Sequence, residues 1–100
     1  MVQFMRQKEG FMPKPRSNTG DKNLIAERLI ELRRKHHLSQ RDLASKLQLL
    51  GLDMDKNVIT RIETKKRYVT DIELQALAKI FKVSYDYLID GKTDETDNVK

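Results

Sequence analysis

Apolar residues recur along the middle of the chain at helical rather than strand spacing. Ile25, Leu29 and Leu32 fall at i, i+4 and i+7, the stripe of a first helix predicted over residues 24–36. Ser39 then offers an N-cap, with Asp42 three residues on favouring the positive end of the helix dipole. Leu43, Ala44 and Leu47 form the buried stripe of this second helix, which runs to Leu49 or Leu50 before Gly51 supplies a stop. A third helix starts after Asp55 as N-cap and ends at Glu63 or Thr64, burying Ile59 and Ile62. Thr70-Asp71-Ile72-Glu73 matches the capping box Thr-x-x-Glu and opens a fourth, which buries Leu74, Leu77, Ala78 and Phe81. A short fifth helix follows Ser84, with Tyr85 and Leu88 inward, and stops at Asp90-Gly91. The strand-like stretches Tyr68-Val69-Thr70 and Val83-Ser84-Tyr85 are too short to build a sheet. No helix here buries its stripe alone, which predicts an all-α, five-helix globule over residues 23–90.

The flanks lack this periodicity. Residues 1–22 carry Pro13, Pro15, Gly10, Gly20 and the string Ser17-Asn18-Thr19, the composition of a flexible arm. Phe4, Met5, Phe11 and Met12 leave two readings of it, a frayed terminus or a segment that docks on a partner subunit. Residues 91–100 (GKTDETDNVK) read as a disordered polar tail.

Composition narrows the classes. A chain of 100 residues suits one small domain, and the absence of Cys excludes disulfide staples, thiolate metal sites and cysteine nucleophiles. No run approaches the roughly 18 apolar residues of a membrane span. Charges sit where a secretory signal places its apolar stretch, so a cytoplasmic protein is expected. No Gly-rich phosphate loop or metal spacing is present, and His36 and His37, about 100° apart on a helix, are poor ligands for one ion. Neither catalysis nor a metal or other cofactor is expected.

The net charge of +5 is unevenly placed. Residues 33–67 hold ten basic and four acidic groups, whereas residues 68–90 hold two basic and four acidic. Positive charge gathered around one pair of helices is what a polyanion-binding face requires. With Ile59 and Ile62 inward, the third helix turns Lys56, Asn57, Thr60, Arg61 and Thr64 outward, with no acidic residue among them. These types suit base edges: Asn for adenine, Arg or Lys for guanine, the Thr methyl for thymine. A helix of roughly nine residues is about 14 Å long, a fitting probe for a major groove about 12 Å wide.

The anchors Ile25, Leu29, Leu32, Arg33, Leu38, Ser39, Gln40, Asp42, Leu43, Ala44 and Leu47, with Ile59-Thr60-Arg61-Ile62-Glu63, resemble the phage-repressor/Cro (XRE) helix-turn-helix family. So does the run Leu77-Ala78-Lys79-Ile80-Phe81-Lys82-Val83-Ser84-Tyr85-Asp86-Tyr87-Leu88. The resemblance implies a dimeric five-helix domain that binds operator DNA through the second helix of the motif. It implies that Lys56, Asn57, Thr60 and Arg61 read bases, and that Gln40 touches phosphate. Lys65, Lys66 and Arg67 match the loop that grips the backbone, a set completed by Lys46 and Thr64. Arg33 and Glu63 match an internal ion pair that fixes the angle of the recognition helix.

Two departures stand out. The connection Leu49-Leu50-Gly51-Leu52-Asp53-Met54 is about five residues longer than the family's tight turn, so either the second helix gains a turn or a small loop forms. His37 stands where the family often has Gly, and tolerates the left-handed conformation better than most residues. Leu49, Leu50, Leu52 and Met54 are read either as a surface for a protein partner or as a second small cluster on the first or fourth helix. Tyr87 and Ile89 are candidates for an isologous dimer contact. The expected function is sequence-specific binding of double-stranded DNA by a nucleoid-bound homodimer, with repression as the outcome. The alternative is an antitoxin or partner-docking module on the same scaffold.

Overall fold

The computed structural model describes residues 20–92. Residues 1–19 of the expected arm and 93–100 of the expected tail lie outside the described residues. Five helices follow in order, α1 Ala26–Lys35, α2 Gln40–Leu49, α3 Lys56–Glu63, α4 Asp71–Phe81 and α5 Tyr85–Asp90. No strand occurs among the described residues. α1 starts two residues later than its apolar stripe suggests. The Asn23 side chain accepts the Ile25 N–H at 3.1 Å, a local turn that competes with helix at this point.

Most helix starts are capped by the residues the spacing singled out. Asp55 accepts from the Val58 N–H at 2.9 Å and Ser84 from the Tyr87 N–H at 3.0 Å. Thr70 and Glu73 form the full reciprocal box. Ser39 and Asp42 form one too: Asp42 N–H donates to Ser39 Oγ at 2.9 Å while Ser39 N–H donates to Asp42 Oδ2 at 3.0 Å. Asp42 therefore does more than sit favourably in the dipole. The Ser39 N–H holds its carboxyl below the ordinary value of 3.8.

Three helices end in the same way, with a residue of positive φ just past the C-cap: His37 (58°), Gly51 (91°) and Lys65 (64°). In each, the next residue's N–H reaches back five positions, as in Leu38 to Arg33 O (2.9 Å), Leu52 to Leu47 O (3.1 Å) and Lys66 to Arg61 O (2.9 Å). Gly51 settles the conformation of the long connection. α2 gains no extra turn, and the added residues form a short loop that folds back on the core. Met54 is fully buried and Leu52 is packed against the core, while Gln48 Nε2 donates to Met54 O at 2.8 Å. Met54 is thus withdrawn as a partner-facing residue, because it fills core volume between α2 and α3. Of the four apolar residues considered, only Leu49 (86%) and Leu50 (47%) are exposed.

Leu29, Leu43, Leu47, Ile59, Ile62, Leu77 and Leu88 make the fully buried centre with Met54. α3 packs on α1 and α2, and α4 packs on α2 and α5, so α3 keeps one long side free of helices. Two expected core residues lie further out. Leu74 is half-buried, and Tyr85 is 49% exposed because Leu88 fills the place against the core and leaves Tyr85 at the rim. Arg28 ties the last helix to the first: its Nε donates to Leu88 O (3.1 Å) and its Nη2 to Ile89 O (2.9 Å) and Leu24 O (3.0 Å). A cation at the carbonyl end of α5 is also favoured by the helix dipole.

Candidate nucleic-acid interface

α3 is eight residues long; Ile59 and Ile62 are fully buried, and Val58 packs half-buried against the core. Burying that stripe forces the opposite one into solvent. Lys56, Asn57, Arg61 and Thr64 are exposed, and Thr60 is half-buried between the two sides. The Thr64 hydroxyl donates back to Thr60 O at 2.9 Å.

What fixes this helix is a polar cluster at its C-terminal half. Arg33 Nε and Nη2 grip Glu63 Oε2 and Oε1 at 2.7 and 3.1 Å. The third Arg33 nitrogen, Nη1, donates to Leu38 O at 3.0 Å, in the turn between α1 and α2. Gln40 Nε2 donates to Glu63 Oε1 at 2.8 Å, and Gln40 Oε1 accepts from the Thr60 hydroxyl at 3.0 Å. One guanidinium, one carboxylate and one amide thus join α1, the turn, α2 and α3. The Arg33 and Glu63 side chains are only 13% and 6% exposed, so the pair sets geometry in a low-dielectric place. Gln40 is therefore turned toward α3 with both ends of its amide engaged. Its main-chain N–H lies in the first turn of α2, where helix amides lack helical acceptors.

The segment after α3 is held just as firmly. Asn23 Nδ2 donates to Ile62 O and Arg67 O, both at 3.0 Å, and Lys22 N–H donates to Lys65 O at 3.2 Å. Lys65 Nζ meets Glu27 at 3.2 Å and Asp21 at 3.7 Å. The Glu27 hydrogen bond, with both acidic charges, holds the ammonium above its ordinary value. Lys66 is exposed. Arg67 turns inward instead: Nη1 and Nη2 pair with Glu73 Oε1 and Oε2 at 2.9 and 3.0 Å, and Nη1 also donates to Tyr68 O at 3.0 Å. Lys46 lies apart from this group, beside Leu49, Leu50, Lys79 and Ile80.

Asn23, Arg28 and Glu73 are positioning residues that spacing does not reveal, because each acts on a partner brought near only by folding. For Glu73 a partial signal existed, its place in the capping box. Burial raises the Glu73 carboxyl, but hydrogen bonds from Arg67 and the Thr70 N–H outweigh that and hold it below 4.5. A depressed carboxylate stabilises the fold fully above its unfolded value and ceases to do so as pH falls through its folded value. Stability is therefore expected to decline below about pH 4.5, with Glu73→Gln flattening that decline in urea midpoints taken across pH 3–6.

The model of the helix-turn-helix family matches residues 29–88, from the middle of α1 to the middle of α5. The chain belongs to the XRE-type helix-turn-helix family. It is, in kind, a DNA-binding transcription regulator, of a regulatory rather than an enzymatic family. No curated protein and no solved structure matches it. Among the described residues no group of three or more His, Asp or Glu is placed to hold a metal ion, and no helix is long and apolar enough to cross a membrane.

Proposed function

We propose that the protein represses transcription by binding a specific duplex sequence with α3 in the major groove. The observation that carries this is the outward side of α3. The side chains of Lys56, Asn57 and Arg61 stand in solvent and hydrogen-bond to no other side chain or backbone group among the described residues, on a helix whose other polar neighbours are locked in place. Lys56, Asn57 and Arg61 select bases, and Thr60 contributes its methyl. The backbone set is Lys66, Thr64, Lys65 and the first amides of α2 at Gln40. Lys65 leaves its pair with Glu27 at small cost, since exposed ion pairs contribute about 0–1 kcal/mol. Arg67 serves as a positioning residue through Glu73, and Lys46 belongs to another surface.

Dimerisation through the α4–α5 side supplies the symmetry of an operator. Ile72 (63%) and Tyr85 are exposed there around a groove that the half-buried Ile89 also lines and Tyr87 does not. The contact is accordingly assigned to Ile72, Tyr85 and Ile89 rather than to Tyr87. Two half-sites about 34 Å apart follow from such a pair.

Selection of bound duplexes from a random pool, with footprinting, tests the reading. Arg61→Ala is expected to cost about 1–3 kcal/mol on the selected site and to relax the preference at one base position. Lys66→Ala weakens binding to every duplex alike and reduces the salt slope by about one. Equal, salt-insensitive losses for the two variants sink the assignment. A second reading, the antitoxin or partner-docking module, draws on the exposure of Leu49 and Leu50. A small toxin frame next to the gene favours it over a solitary repressor.

A further inference from the structure

A groove of about 290 Å³ opens between the end of α2 and the last turns of α4, lined by Lys46, Leu49, Leu50, Lys79 and Ile80. No residue of α3 lines it. Leu49 and Leu50 contribute little to the core, yet they sit side by side in water where α2 ends. Ile80 is half-buried against the core, and the two lysines are exposed. We propose that this groove docks an acidic amphipathic helix of a partner protein. Its apolar anchors lie on Leu49, Leu50 and Ile80, and its carboxylates meet Lys46 and Lys79. Anchors at i, i+3 or i+4 and i+7 are how a helix fills a groove of this kind, and flanking charge sets which helix it accepts.

The charges decide among occupants. Residues 1–19 of this chain carry Arg6, Lys8, Lys14 and Arg16 against Glu9 alone, so their own lysines and arginines are repelled by Lys46 and Lys79. Residues 93–100 have the right sign in Asp94, Glu95 and Asp97 but a single aliphatic side chain, Val99, to bury. A second copy set here by a two-fold axis brings the same two lysines toward their counterparts. DNA fits the lysines and not the leucines, since phosphates return no free energy for desolvated Leu49 and Leu50. An acidic helix with an apolar stripe satisfies both.

The test uses the full chain and a synthetic peptide of about 16 residues, four to five helical turns, with leucines at i, i+4 and i+7 and glutamates beside them. Amide chemical-shift changes are expected at Lys46, Leu49, Leu50, Lys79 and Ile80 and not on α3. Leu49→Ser and Lys79→Glu are each expected to weaken the peptide about tenfold, with binding to a selected duplex unchanged. Both sites are exposed, so neither variant endangers the fold. A peptide with lysines in place of the glutamates is expected not to bind. Equal binding of that peptide, or shifts elsewhere, overturns the proposal. So does movement of the same signals when residues 1–19 are removed, which identifies the chain's own arm as occupant, or on dilution, which identifies a second copy. Failure of the DNA reading leaves these readouts intact, because none of the peptide measurements involves DNA.

Discussion

Glu63→Ala is expected to destabilise the domain by about 3–5 kcal/mol, because it strands the Arg33 guanidinium in a place only 13% open to solvent. The loss compares with a total stability of about 5–15 kcal/mol for a typical domain. One further group loses its partner in the same step. Gln40 Nε2 has donated to the missing carboxylate, and its amide is then free to rotate away from the Thr60 hydroxyl. Replacing both charges together, Arg33→Met with Glu63→Leu, is expected to recover most of the stability, since no buried charge is left unpaired. The double variant is still expected to lose duplex affinity, because Gln40 no longer has a fixed point and α3 loses its charged anchor to α1. Urea unfolding followed by circular dichroism, beside a binding titration, separates the two effects. A single-variant cost under about 1 kcal/mol means that the pair is no more than a surface contact.

Asn23→Ala is the second large effect, expected at about 2–4 kcal/mol for three hydrogen bonds of roughly 1 kcal/mol each, two of them to carbonyls in a half-buried segment. The three bonds run from one small amide to the start of α1 and to both ends of the segment after α3. Asn23→Asp keeps the acceptor for Ile25 N–H but sets a carboxylate against two carbonyl oxygens, and is expected to be at least as damaging. Exposed Lys66, proposed above as a contact to the DNA backbone, lies in that segment, so the segment's protection from amide hydrogen exchange is the direct readout. Exchange at residues 64–67 is expected to rise well before the rest of the domain in Asn23→Ala. Uniform acceleration throughout the chain instead means that Asn23 supports the fold generally and not this segment.

The helices and their starts were legible because the signals are local. Ser39, Asp55, Thr70 and Ser84 each cap a helix at the N–H three residues on, and that spacing is written in the chain. The buried stripe of α3 was equally plain, and with it the identity of the residues on the other side. Distant polar contacts were not. Arg28 finds its carbonyl partners about 60 positions along, and Asn23 finds its own about 40 along, with no periodicity to announce either. Arg67 shows a different failure. Charge counted along the chain treats every cation as available, yet Glu73 takes this one up, because the capping box has already fixed that carboxylate beside it. Met54 was ambiguous because a Leu- and Met-rich loop looks alike whether it folds inward or faces a neighbour.

Gly51 has a consequence for how this protein diversifies. The C-terminal half of α3 is pinned by Arg33 and Gln40, whereas its first turn hangs from a loop seated by Met54 and Asp55. The helix is in effect a lever with its fulcrum near Thr60 and Glu63. Adding or removing residues after Gly51 is expected to swing Lys56 and Asn57 at the free end of α3 while Arg61 stays close to the pivot. If α3 reads bases as proposed, preference at the outer positions is expected to drift with loop length alone, while the inner position keeps its meaning.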